Sequence, residues 1–287
     1  MWRGAALLLA MAVGAFLPTL APFSFLIRWI LVFMLWAGFL GMPLSRLAPE
    51  RSHLRLLMAW CLFPVLGWLL LRPLGPEAAI AGFLVGATPT ATAAPTITRL
   101  LGGDAGYVSV SFLGSNLLAM ILIPAILALM GSPLPHGAVR FFLENIAIVA
   151  CPLALAAILH RARVASRIAP HLARVIFPLW LVALVLASAK TSAFLRHSTQ
   201  PLSTILGIAS VSGILCAGQF LLGRRIGGAE HALEAGQSLG QKNTMLTLWL
   251  GLATFGPLAA LGPATYVLWH NLWNAAQMAR SRSTVKK

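Results

Sequence analysis

Gly82-Phe83-Leu84-Val85-Gly86-Ala87-Thr88-Pro89-Thr90-Ala91-Thr92 and Gly236-Gln237-Ser238-Leu239-Gly240-Gln241-Lys242-Asn243-Thr244 decide the fold. Each is a Gly-x-x-x-Gly that runs at once into polar, helix-weakening residues within an apolar run. They stand 154 residues apart (82 to 236), a little over half of the 287-residue chain. An Asn-Leu pair follows each, Asn116-Leu117 and Asn271-Leu272, 155 residues apart (116 to 271). Matching interruptions in two halves of a hydrophobic chain mark a duplicated membrane fold with its site where the repeats meet. One Gly-x-x-x-Gly alone is a common helix-packing motif. Two at one register, each leading into polar residues, point to a repeat.

Composition sets the frame. The chain is 59% hydrophobic and 9% charged, with mean hydropathy +0.86. A soluble domain carries about 25% charged residues. So few charges cannot cover a water-facing surface, and the chain reads as an integral membrane protein. The net charge of +15 comes from 21 Lys and Arg against six acids. A basic balance can signal nucleic acid, but these charges sit in short clusters between apolar runs, so membrane topology accounts for them and no nucleic-acid partner is expected. Cys61, Cys151 and Cys216 stand alone in apolar surroundings, with no disulfide framework or metal spacing.

Ten apolar runs are long enough to span a bilayer: 4–21, 25–44, 53–71, 77–101, 105–130, 139–160, 171–189, 202–222, 231–254 and 257–279. Short linkers separate them, such as Pro49-Glu50-Arg51-Ser52 and Gly131-Ser132-Pro133-Leu134-Pro135. The first run follows Arg3 and precedes Thr19-Leu20-Ala21-Pro22, which resembles a signal peptide, but a proline right after the cleavage position argues against processing. With the N-terminus inside, fifteen of the 21 basic residues fall on inner segments and four on outer ones, so both termini are expected in the cytoplasm of an inner-membrane protein. Basic residues of the C-terminal tail are expected to face anionic lipid. Five spans per half force opposite orientations. The expected fold is all-α: ten transmembrane helices in two inverted five-helix repeats, residues 1–137 and 138–287, with broken fourth and ninth helices crossing at the midplane.

The first interruption carries Pro89 and Pro95, six residues apart, which open the helix around Thr90–Ala94. Freed backbone groups at bilayer depth survive only where protein or a wet cavity surrounds them. Thr88, Thr90, Thr92 and Thr96 add hydroxyls. The helix resuming near Pro95 offers its positive end to an anion. The second interruption holds Lys242, the one lysine inside an expected span, beside Gln241, Asn243 and Thr244. An ionisable residue there is a functional candidate by default; the nearest preceding acids, Glu230 and Glu234, lie eight or more residues upstream. In the tenth run His270 and Asn274 share a helix face. No paired carboxylates, HExxH or nucleotide loop appears, so no enzyme, catalytic residue, metal or cofactor is expected.

These residues resemble the bile acid:sodium symporter family, which is related to arsenite exporters and auxin-type carriers. Gly86–Ala93 through Leu100-Leu101-Gly102-Gly103-Asp104-Ala105 is similar to that family's fourth span and following turn. Pro124-Ala125 is similar to the end of its fifth span, Gly240-Gln241-Lys242-Asn243-Thr244 to its ninth-span motif, and Trp269-His270-Asn271 to its tenth-span Trp-His-Asn. The resemblance implies a ten-helix fold whose panel and core domains move against each other and a carrier for organic anions, usually with sodium. This chain departs where the family's sodium ligands fall: Ala94 and Pro95 replace Ser and Asn, Ser238 replaces Glu, and Lys242 replaces Gln. A hard cation wants several oxygen ligands, usually with carboxylate help.

The expected function is therefore secondary transport of a small organic anion by alternating access, with Lys242 in place of the coupling cation. Its ammonium would either clamp the crossing carbonyls or contact the substrate anion. Sodium or proton coupling by the usual family mechanism, or a non-transporting receptor or partner subunit, are the alternatives. The candidate substrate- and ion-binding set is Thr88, Thr90, Thr92, Thr96, Asn116, Ser238, Gln241, Lys242, Asn243, Thr244, His270 and Asn271.

Overall fold

A computed structural model describes residues 2–42, 47–129, 138–197 and 200–285. The expected linker at 131–135, Arg46, Lys286 and Lys287 lie outside them. The described elements are all helical, joined by one isolated β-bridge. Helix α1 is Trp2–Phe16, and a 3-10 segment Pro18–Phe25 leads into α2, Leu26–Leu40. Then come α3 (Arg51–Leu71), α4 (Pro76–Ala87), α5 (Ala94–Leu100), α6 (Ala105–Leu129), α7 (Ala138–Arg161) and α8 (Ala165–His197). The chain continues with α9 (Leu202–Gly227), α10 (Ala232–Gly240), α11 (Thr244–Leu250) and α12 (Pro257–Val285).

The fourth run is thus split into α4 and α5, and the ninth into α10 and α11. The first split lies at the two prolines; Pro95 sits in the first turn of α5, where a missing N–H costs nothing. Among the described residues, five helical segments are individually long and apolar enough to cross a membrane: Pro18–Leu40, Arg51–Leu74, Ala105–Ile126, Arg174–Ala193 and Leu202–Gly227. The broken runs contribute only shorter apolar helices, Pro76–Ala87 and Thr244–Phe255.

Packing sorts the helices into groups. One apolar cluster joins α3, α4, α6, α9, α10 and α12 through residues such as Trp60, Phe83, Phe220 and Tyr266. A second joins α1, α2, α7 and α8 to faces of α6, α11 and α12 through Leu31, Phe39, Val149 and Leu248. Helix α4 packs on α3 and α10 on α9; α1 packs on α8 and α2 on α7. Outward faces stay apolar: Leu54, Met58, Leu62, Val65 and Leu69 of α3 are exposed, as suits acyl chains. Against lipid there is no hydrophobic gain in joining helices, so close packing and polar contacts hold them together.

The Gly-x-x-x-Gly motifs supply that close packing. A Cβ on Gly82 would collide with the carbonyl of Gly67, and one on Gly67 with the carbonyl of Gly82, so α3 and α4 cross backbone to backbone. Gly86 lies as tightly on Phe63 and Pro64. In the other half, a Cβ on Gly240 would enter the ring of Phe220 on α9.

The starts of α3, α6 and α10 meet at one end. Tyr107 stacks on His231 (4.6 Å between centroids) and against His53. Its hydroxyl donates to Ser52 Oγ at 2.9 Å. His231 Nε2 lies 3.4 Å from Glu50 Oε1, and buried Glu234 accepts the Asp104 amide at 2.9 Å.

Candidate functional site

The two breaks cross. The Ala91 amide donates to the Gln241 carbonyl at 2.8 Å and the Asn243 amide to the Pro89 carbonyl at 2.7 Å. This pair of bonds makes Thr90 and Lys242 an antiparallel bridge. Helices end where these residues begin, so their backbone groups would otherwise be orphaned in apolar surroundings.

Neutral donors satisfy the crossing's carbonyls. Trp60 Nε1 donates to the Thr88 carbonyl at 2.9 Å, Asn116 Nδ2 to the Thr90 carbonyl at 3.0 Å, and Tyr266 Oη to the Gly240 carbonyl at 2.8 Å. The Thr90 hydroxyl donates to the Ser238 carbonyl at 2.6 Å and accepts from Ser115 Oγ at 3.0 Å, while the Thr90 amide donates to that same Ser115 oxygen. Thr88 Oγ1 lies 2.6 Å from the Leu84 carbonyl and 2.7 Å from Thr247 Oγ1. A hydroxyl has one proton. With the Thr88 proton on Leu84, Thr247 is the donor to Thr88.

Lys242 is 2% exposed, and its Nζ has no hydrogen-bond partner among the described residues. No acid pairs with it there. In this geometry its ammonium makes no hydrogen bond to the crossing carbonyls. Among the two expected roles, the clamp therefore finds no support.

Of the expected residues, Thr88, Thr90, Asn116, Ser238, Gln241, Lys242, Asn243 and Thr244 come together, all buried. Thr92 is partly buried and faces α2: a Cβ on Gly38 would sit 2.8 Å from Thr92 Cγ2. His270 is buried on α12, edge-on to Tyr266 at 5.6 Å, with neither ring nitrogen partnered among the described residues. Two residues stand apart. Thr96 is exposed on α5, and Asn271 donates back to the Val267 carbonyl of its own helix at 2.7 Å.

Ser115, Trp60, Tyr266 and Thr247 hold the crossing and carry no sequence signal, since each is a single residue on an apolar helix. A cavity of about 10 Å³, room for about one water, lies against the crossing; Thr90, Ser111, Ser115 and Ser238 line it, with Leu56, Leu57, Trp60 and Leu239. Apart from the Trp60 indole, its polar side chains carry hydroxyls. Arg28 of α2, which no acid accompanies in sequence, lies 5.6 Å from the Trp249 ring, a cation–π contact to the segment just after the second break.

A family model described as the sodium bile acid symporter family matches residues 30–198, more than half of the chain and including the first break. The chain belongs to the sodium bile acid symporter family. It is accordingly a membrane transporter of the bile acid/sodium symporter type. No curated protein matches it. The sodium bile acid symporter match ends before the second break, so Lys242 and its neighbours lie outside the matched residues.

Proposed function

We infer that the protein carries a small organic anion across the inner membrane by alternating access, without sodium, and that Lys242 takes the place of the coupling cation. The observation that carries this reading is the buried, acid-free Nζ of Lys242 beside a crossing whose Thr88, Thr90 and Gly240 carbonyls each accept from a neutral donor. A lone buried charge is costly. An anion brought to the crossing relieves that cost: at about 6 Å and an effective dielectric of about 20, the attraction is about 3 kcal/mol. Substrate binding and charge compensation thereby become one event.

Sodium fits this crossing poorly. Ala94 and Pro95 bring no side-chain oxygen, and Ser238 supplies a hydroxyl where the family resemblance has a carboxylate. The nearby cavity offers hydroxyls and no acid, whereas a hard cation needs several oxygens and net negative charge.

The inverted-repeat reading, with residues 1–137 and 138–287 as halves, is supported by the paired packing of α4 on α3 with α10 on α9, and of α1 on α8 with α2 on α7. Cytoplasmic termini follow from the charge bias. The deciding experiment is uptake into proteoliposomes across a panel of organic carboxylates and sulfonates, with and without a sodium gradient. Uptake should persist without sodium and fall at least about ten-fold in Lys242→Ala, the loss of about 1.4 kcal/mol or more. Strict sodium dependence, or full activity of Lys242→Ala, overturns the assignment.

A further inference from the structure

A second run of polar residues lies where α10 faces α12. Asn274 Nδ2 donates to Gln241 Oε1 at 2.6 Å. Gln237 Nε2 donates to Asn274 Oδ1 at 2.9 Å and to Gln277 Oε1 at 2.8 Å. On α12, His270, Asn274 and Gln277 follow at intervals of four and three and therefore share one face; Gln237 and Gln241 are one turn apart on the partner. The strip begins beside Lys242 and ends at Gln277, which is half-buried toward the C-terminal end of α12.

Interhelical amide bonds alone do not account for it. Gln237, Gln241 and His270 are each 0% exposed, yet Gln237 Oε1, Gln241 Nε2 and both His270 nitrogens have no hydrogen-bond partner among the described residues. Gln219, also buried, lies 3.0 Å from Tyr266 Oη, whose one proton goes to the Gly240 carbonyl, and the Tyr266 ring meets His270; Lys242 adjoins Gln241 in the chain at the head of this strip. Buried polar atoms in native proteins are nearly always partnered, by water where protein groups fall short. This many open donors and acceptors in one continuous seam need solvent.

We propose that the α10–α12 seam is a water-filled path that connects Lys242 to the aqueous phase at the C-terminal end of α12. It rests on Lys242 being the coupling group, and it gives that group a supply of protons. The amides order the waters without titrating themselves, and a proton passes along the file to or from Nζ. Among the described residues, Cys216 on α9 and Tyr266 and His270 on α12 are the titratable groups at the inner end; the first break and α6 bring hydroxyls and an amide. Gln237 and Asn274 are positioning residues. Lys242 then gains and loses its charge from one side of the membrane, and the direction of proton coupling is set by the seam.

The test is solvent access in the full-length protein in lipid nanodiscs. With Cys61, Cys151 and Cys216 replaced by alanine, Gln237→Cys and Asn274→Cys should react with a small water-soluble methanethiosulfonate. Leu258→Cys, on the face of α12 opposite Asn274 and 2% exposed in an apolar cluster, should react at least about ten-fold more slowly, since only wetted thiols ionise and react. Equal, slow reaction at all three positions overturns the proposal. Should those variants fail to fold, the unmodified protein answers through pulsed hydroxyl-radical labelling. Tyr266 should be oxidised although it is 0% exposed, and Phe83, 1% exposed in the apolar cluster, should not. Protection of both overturns the proposal. A dry seam with an essential Lys242 defeats this path and leaves the site reading standing; a wet seam with a dispensable Lys242 does the converse.

Discussion

Thr90 and Lys242 stand opposite each other in an antiparallel bridge, flanked by the Ala91–Gln241 bond at 2.8 Å and the Asn243–Pro89 bond at 2.7 Å. Neither bonds the other's backbone, so they form the close, non-hydrogen-bonded kind of pair, whose side chains project from one face of the ribbon. The Thr90 hydroxyl is committed to Ser238 and Ser115, while Lys242 is left with its charge uncompensated. One residue of the pair closes the structure and the other strains it. That asymmetry separates the mutations that cost stability from those that cost transport.

Lys242→Met should stabilise the protein and stop transport. Methionine keeps most of the length of the stem and removes a buried, unpaired ammonium, whose burial carries a cost of several kcal/mol. A gain of about 1–3 kcal/mol is expected. Thermal unfolding in detergent should show a raised midpoint, and proteoliposome uptake should fall to background. A lowered midpoint with retained uptake would mean that Nζ is satisfied structurally.

Thr90→Val should act in the opposite sense on stability. The shapes match, but the Ser238 carbonyl and Ser115 Oγ lose a partner in apolar surroundings. Leaving buried groups unsatisfied costs about 1–3 kcal/mol. Asn116→Leu should cost a similar amount by exposing the Thr90 carbonyl to hydrocarbon. Thermal midpoints read both; a wild-type midpoint in either variant would mean that the crossing does not depend on these bonds.

Thr96→Val and Asn271→Leu should leave uptake within about two-fold of wild type, as for substitutions worth about 0.5 kcal/mol or less. The first side chain is exposed and the second bonds its own helix. Initial uptake rates at matched expression decide it, and a ten-fold loss in either would extend the site to the outer face of α5 or α12.

The breaks were legible because proline, lysine and clustered amides in apolar runs are rare and local. Pro89, Pro95 and Lys242 each announce a defect from their own position. The residues that repair the defects were not legible. Ser115, Trp60 and Tyr266 look like ordinary members of apolar helices, and their partners lie 25, 28 and 26 residues away in the chain. The seam was half visible: the shared face of His270 and Asn274 follows from spacing, but its completion by Gln237 on another helix is a tertiary fact.

The two Gly-x-x-x-Gly motifs stand next to the site, yet their own work is packing, and their substitution should show it. Gly82→Ala puts a methyl into the Gly67 carbonyl, and Gly240→Ala into the Phe220 ring. Backbone cannot step aside as a flexible side chain can, so Gly82→Ala should separate α3 from α4 and cost about 1–3 kcal/mol or more. Gly114→Ala is the control on α6: its added methyl would meet only Leu57 side-chain carbons, at 3.6 and 3.8 Å, ordinary contact distances. Its midpoint should match or exceed wild type, since alanine is the better helix former by about 1 kcal/mol. If Gly82→Ala unfolds no earlier than Gly114→Ala, the backbone contact between α3 and α4 is not what holds the first break in place.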